Sequence, residues 1–134
     1  MQQTFEFNGA NYEYFCHSYL DTRHNERAIE IPIIMGYFTD YVKQGKTKVL
    51  ELGNSINSYF VLPHDVVDKY ERGEGLINED IISFEPKEKY ELIISVSTLE
   101  HVGWDFGEER GERKAVRAIE RLKEMLVPGG LMIV

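Results

Sequence analysis

Aromatic and polar side chains alternate over Phe5-Glu6-Phe7-Asn8-Gly9-Ala10-Asn11-Tyr12-Glu13-Tyr14, around an Asn-Gly pair. Alternation of period two about that dipeptide predicts a small β-hairpin. From His24 to Lys43 the chain is largely apolar, and Ile29, Ile33, Tyr37 and Tyr41 recur at four-residue spacing. That periodicity predicts a helix with this face turned inward. Pro32 falls inside it, and proline lacks an amide donor and crowds the preceding turn, so the helix either restarts near Pro32 or kinks there. Gln44-Gly45-Lys46 closes the element.

The pattern then changes to short apolar runs bounded by turn residues. Val49, Leu50 and Leu52 form a first buried strand that ends at Gly53 and carries Glu51 two places before that glycine. Tyr59 to Pro63 reads as a short helix or turn, where a helix would be usual. The run from His64 to Tyr70 predicts a second strand with an acid at its end, and a charged loop from Glu71 to Gly75 follows. Leu76-Ile77, ending in Asn78-Glu79-Asp80 and continued by Ile81 to Phe84, reads as a short third strand. Tyr90 to Ser97 has a continuous apolar centre, as in a parallel sheet covered on both faces. Gly107 to Lys114 is nearly all charge and glycine, a loop or frayed helix start. Ala115, Ala118, Ile119, Leu122, Met125 and Leu126 then mark the apolar face of a helix, stopped by Val127-Pro128-Gly129-Gly130 before a last strand from Leu131 to Val134. Strands separated by crossovers predict an α/β domain with a mostly parallel sheet.

Composition narrows the function classes. The 134 residues, 43% hydrophobic and 28% charged, suit one globular domain. It divides into a hairpin and helix over residues 1–46 and a core over 47–134. With 23 acidic against 15 basic residues, the net charge of −8 repels phosphate backbones and argues against a nucleic-acid partner. No apolar run approaches the roughly 20 residues that span a bilayer, and the N-terminus has no targeting pattern, so a cytoplasmic protein without a membrane partner is expected. The lone Cys16 reads as a small buried side chain, and His17, His24 and His64 lack metal-ligand spacing, reading as structural or exposed.

Three stretches carry a resemblance. Leu50-Glu51-Leu52-Gly53, the strand from Tyr90 to Ser95 running on to Leu99-Glu100-His101-Val102, and Leu126-Val127-Pro128-Gly129-Gly130-Leu131 stand in the order and spacing of class I S-adenosylmethionine-dependent methyltransferases, which the chain resembles from Val49 onward. The resemblance implies a Rossmann-like three-layer sandwich with strand order 3-2-1-4-5, and S-adenosylmethionine as cofactor. Glu51, Gly53 and Asn54 would lie beside its methionine part. Asp68, a little short of the usual spacing of about 20 residues after the first loop, would accept from the ribose hydroxyls. Its rival is Asp65 in the same strand. Asp80, or its neighbour Glu79, would meet the adenine amino group, with Ile81 against the ring. Ser97, Thr98 and His101 would form the rim shared with the acceptor, His101 being the candidate general base or else a hydrogen-bonded histidine. Trp104 either covers the cofactor or fills the core, and Arg27 either approaches the cofactor carboxylate or makes a surface ion pair.

The chain departs from the family pattern in two places. Ser55 and Asn57 stand where further glycines are usual, and the sheet stops in its fifth strand, without the final two. The sequence is then either a fragment or a shortened relative that covers its edge by forming a homodimer. The expected activity is methyl transfer to a small-molecule acceptor. The alternative is a non-catalytic cofactor-binding or assembly module pairing through its exposed edge strand. A dinucleotide oxidoreductase ranks third, since the glycines that let a backbone approach pyrophosphate are missing.

Overall fold

Asn8 and Gly9 take left-handed backbone conformations, with φ of 50° and 76°. They join β1 (Thr4–Phe7) to β2 (Ala10–Glu13) as the antiparallel hairpin that the Asn-Gly pair predicts. Phe5 stacks on Tyr12, its partner directly across the ladder, at 5.5 Å between ring centroids. The computed structural model describes residues 3–104 and 113–134, and its backbone groups into two compact units, Met1–Gly45 and Lys46–Val134.

In the first unit the hairpin leads through a short 3-10 segment, Tyr19–His24, to α1 (Arg27–Lys43). Asn25 caps the helix, its Oδ1 accepting the Arg27 amide at 3.1 Å. Pro32 neither restarts nor interrupts α1, which runs continuously through it. The reason is local. A proline at position 32 withholds the amide that would bond the Ala28 carbonyl, and the Phe15 amide fills the gap at 2.9 Å. That strap also sets the buried face. Ala28, Ile31, Ile34 and Phe38 are buried, while Ile29 is 44% exposed, so the inward face is not the one traced by Ile29, Ile33, Tyr37 and Tyr41. Since α1 is apolar nearly all round, periodicity does not select a face; docking at Ala28 does. Phe15 is half-buried and its amide is tied to Ala28, while the two residues after it, Cys16 and His17, lie exposed outside any strand. Cys16 is therefore exposed, not buried.

The second unit is a sheet of five strands, all parallel, in the order β5-β4-β3-β6-β7. Here β3 is Val49–Leu52, β4 Asp65–Val67, β5 Leu76–Ile77, β6 Tyr90–Ser95 and β7 Leu126–Ile133. It is an α/β unit compatible with a Rossmann-like fold. Helix α2 (Lys114–Met125) precedes β7 and packs Ala118, Leu122 and Met125 against Leu50, Leu52, Val67 and Ile93. Leu50, Ile93 and Leu122 are fully buried, and each such side chain stabilises the fold by about 1.5–3 kcal/mol relative to exposure. Ile119, expected on the same face, is partly turned to solvent.

Between β3 and β4 the chain makes turns and no helix, the Ile56 carbonyl taking the amides of Tyr59 and Phe60. Pro128-Gly129-Gly130 is not a break ahead of the last strand. β7 already begins at Leu126, opposite Tyr90, and the register jumps so that Leu131 faces Leu92. Pro128 has no ladder donor and Gly129 has a φ of 77°, so the three residues bulge out of the strand. Trp104 does not fill the core: it is 66% exposed, because Gly103, at φ 90°, turns the chain outward after Leu99 and Val102 have taken that space. The charged stretch expected to be a loop or frayed helix start falls, over 107–112, outside the described residues. No helix among the described residues is long and apolar enough to cross a membrane.

Candidate functional site

The carboxyl ends of β3, β4 and β6 open into one cleft, the place where parallel α/β sheets bind ligands. Each strand contributes the residue that ends it. After β3 comes Gly53, whose φ of 85° bends the chain sharply and whose amide bonds the Val67 carbonyl at 2.8 Å. A Cβ at this position would lie 2.1 Å from Thr98 Oγ1, so only glycine lets the two loops approach. Thr98 is held in turn, its hydroxyl donating to the Val96 carbonyl at 3.0 Å.

After β4 comes Asp68. Its Oδ1 accepts the amides of Tyr70 and Glu71 at 2.9 and 2.8 Å, fixing the turn, while no described residue bonds Oδ2. Asp65 stands at the opposite end of the same strand, where its Oδ2 accepts the Tyr90 hydroxyl at 2.8 Å. Of the two candidates, Asp68 is thus the one on the cleft. Asp80 and Glu79 both line the cleft, and Asp80 is the more ordered: Oδ1 accepts the Ile82 amide at 3.0 Å and Oδ2 lies 3.2 Å from Lys69 Nζ. Ile81, buried beside it, supplies an apolar wall. His101 reaches the rim with a 76% exposed ring, 4.0 Å from Glu100. The cleft measures about 100 Å³, well under the roughly 300 Å³ of a fully enclosing ligand pocket. A nucleoside-sized ligand would therefore be partly enclosed, the remainder lying along Tyr70 and His101.

Glu51 sits differently from a residue that faces a ligand. Its carboxylate is fully buried beneath the loop after β3. Oε1 accepts the amides of Ser55 and Ile56 at 2.7 and 2.5 Å, and Oε2 accepts that of Asn57 at 3.2 Å and lies 2.7 Å from His64 Nε2. Ser55 and Asn57 also act through their side chains. Ser55 Oγ donates to the Val96 carbonyl at 3.0 Å, and Asn57 Nδ2 to Asn54 Oδ1 at 2.7 Å. Asn54 continues the chain of bonds to Glu71 Oε1 at 2.6 Å. Ser55 and Asn57 thus belong to a loop whose polar groups bond one another. Ser97, at φ 48°, carries left-handed strain in the turn leading to Thr98.

The cleft gathers Gly53, Asp68, Asp80, Ile81 and His101, with Thr98 beside them. Glu51, Asn54 and Ser97 support loops without lining it. Arg27 belongs to the first unit, where its Nη1 is buried without a hydrogen-bond partner among the described residues. His64, Lys69 and Tyr70 have roles that the sequence does not announce. Lys69 and Tyr70 directly follow the strand-end acid, and that adjacency was the available signal. His64 reaches Glu51 only through the fold.

Chemically, two carboxylates flanking an apolar wall suit a ligand bearing hydroxyl and amino donors on a flat ring. The amides of Ser55, Ile56 and Asn57 are already bonded to Glu51, so they offer no cradle to a phosphate. Among the described residues no group of three or more side chains could hold a metal ion. No family model matches the chain, and no curated protein or solved structure is significantly similar to it.

Proposed function

We propose that this chain binds S-adenosylmethionine in the cleft and transfers its methyl group to a small-molecule acceptor. One observation carries the reading: Asp68 and Asp80 follow the successive strands β4 and β5 on the carboxyl side of the parallel sheet and line one cleft with Ile81, beside a loop whose amides are closed to phosphate. The sheet order supports it too, since β5-β4-β3-β6-β7, counted from β3 as the first strand of that sheet, reads 3-2-1-4-5. Asp68 Oδ2 is available to the ribose diol, the Asp80 carboxylate, already engaged with the Ile82 amide and Lys69, would use a remaining lone pair for the adenine amino group, and Gly53 allows backbone approach. The bound cofactor supplies an activated methyl group on a sulfonium. What the chain adds is orientation of that group and exclusion of water around it.

A second reading, binding of the same cofactor without turnover, is favoured by His101. Its ring is mostly exposed, and among the described residues its ion-pair contact is with Glu100, at 4.0 Å, which leaves the ring without a fixed direction toward an acceptor.

Thermal unfolding with S-adenosylmethionine, its demethylated product and NAD tests the proposal. A ligand at a hundredfold excess over its dissociation constant stabilises the native state by about 2.7 kcal/mol. Stabilisation by the first two ligands is expected. A response to NAD alone, or to none, would sink the reading, and methylation of any acceptor would remove the second.

A further inference from the structure

Beneath the cleft loop lies a buried pair that the chemistry above leaves unused. His64 and Glu51 side chains are 1% and 0% exposed, with Nε2 and Oε2 separated by 2.7 Å. The other ring nitrogen, Nδ1, lies 3.2 Å from the Leu62 carbonyl oxygen. Both nitrogens thus face acceptors. Glu51 already accepts three amides, the pattern of a carboxylate, so Nε2 is the donor to it.

We propose that His64 is the positioning residue of the cleft loop: the Nε2 donor fixes the Glu51 carboxylate, which in turn fixes the amides of residues 55–57. His64 touches no ligand. It acts by aiming Glu51, because a carboxylate whose Oε2 kept only the longer bond from the Asn57 amide, at 3.2 Å, would rotate or draw in water in a dry site and release the amides. The loop so held begins at Gly53, and its ordering before ligand arrives removes a cost that binding would otherwise carry. The consequence for affinity rests on the cofactor reading given above. The clamp itself does not.

The test measures loop and ligand separately. In the His64→Leu variant, amide hydrogen exchange at Ser55, Ile56 and Asn57 should accelerate at least tenfold, while Leu92, Ile93 and Ile94 of β6 stay within about threefold of wild type. His64→Gln, which keeps a donor toward Glu51, should restore most of the loop protection. Unchanged exchange at residues 55–57 in a folded His64→Leu protein would overturn the proposal. Should that variant not fold, nitrogen-15 spectra of the wild-type imidazole decide, since a protonated Nε2 is required and an unprotonated Nε2 refutes the clamp. Titration with the demethylated cofactor product then separates the two readings. Wild-type binding that weakens at least tenfold in His64→Leu supports both, whereas a released loop in a protein that never binds the ligand leaves the clamp standing and removes the cofactor.

Discussion

At Gly53 two independent constraints meet, a positive φ and a Thr98 hydroxyl 2.1 Å from where a Cβ would stand. Strain of the first kind costs about 1–3 kcal/mol, and the clash requires Thr98 to give up its bond to Val96. Gly53→Ala should therefore lower stability by about 2 kcal/mol or more, read as a lower urea midpoint, and should abolish cleft binding. A variant with wild-type midpoint would show that the loops separate freely. Asp68 permits a finer test, because its two oxygens have different duties. Asp68→Asn can keep the Oδ1 acceptor that fixes the turn at Tyr70 and Glu71, while exchanging the other oxygen for a donor that repels the ribose donors. Loss of one charge-assisted hydrogen bond, about 1.5–3 kcal/mol, predicts cofactor affinity lower by roughly ten- to a hundredfold with the melting temperature nearly unchanged. Equal affinity by calorimetry would remove Asp68 from the site. Its position was readable in the sequence because an acid ending the second strand falls near a fixed spacing from the first loop. His64 was not readable, since nothing in a local pattern pairs it with Glu51.

Among the elements, the 3-10 segment depends on one hydroxyl. Thr22 is fully buried, accepts the His17 amide at 2.7 Å and donates to the Phe15 carbonyl at 3.0 Å. Thr22→Val conserves volume but leaves both backbone groups short of a partner, so denaturant unfolding should show a loss of about 1–3 kcal/mol. A neutral result would mean that water replaces the hydroxyl. The strands were legible as elements because β3 and β6 are buried along nearly all their length and are therefore mostly apolar, Glu51 being the exception in β3. The helix α1 was legible as a helix but not in phase: Ile29, Ile31, Ile33 and Ile34 crowd both sides, and only the contact from Phe15 chooses between them. β7 was misplaced at its start for a related reason. A Pro-Gly-Gly run reads as an end, while a bulge lets the ladder continue around it.

At the scale of the whole molecule, the sheet has different chemistry at its two ends. Opposite the cleft, Tyr90 donates to Asp65, and burial, reinforced by that carboxylate, pushes the phenol well above its ordinary value of 10.0. The folded state holds the proton more tightly than the unfolded chain, so this stability is complete below about pH 10 and is lost as pH rises further. Tyr90→Phe should flatten the alkaline fall in unfolding free energy above pH 10, at a cost near neutrality of about 1 kcal/mol for the lost bond. An unchanged alkaline slope would assign it to another group. The order of residues in the chain matters as well. Because Pro32 leaves the Ala28 carbonyl open, α1 cannot complete its own bonding and must be finished by Phe15, a residue synthesised before the helix begins. The proline thus works as an address: the partner is already waiting when the vacant carbonyl emerges, and docking displaced by a single residue would leave that carbonyl dry.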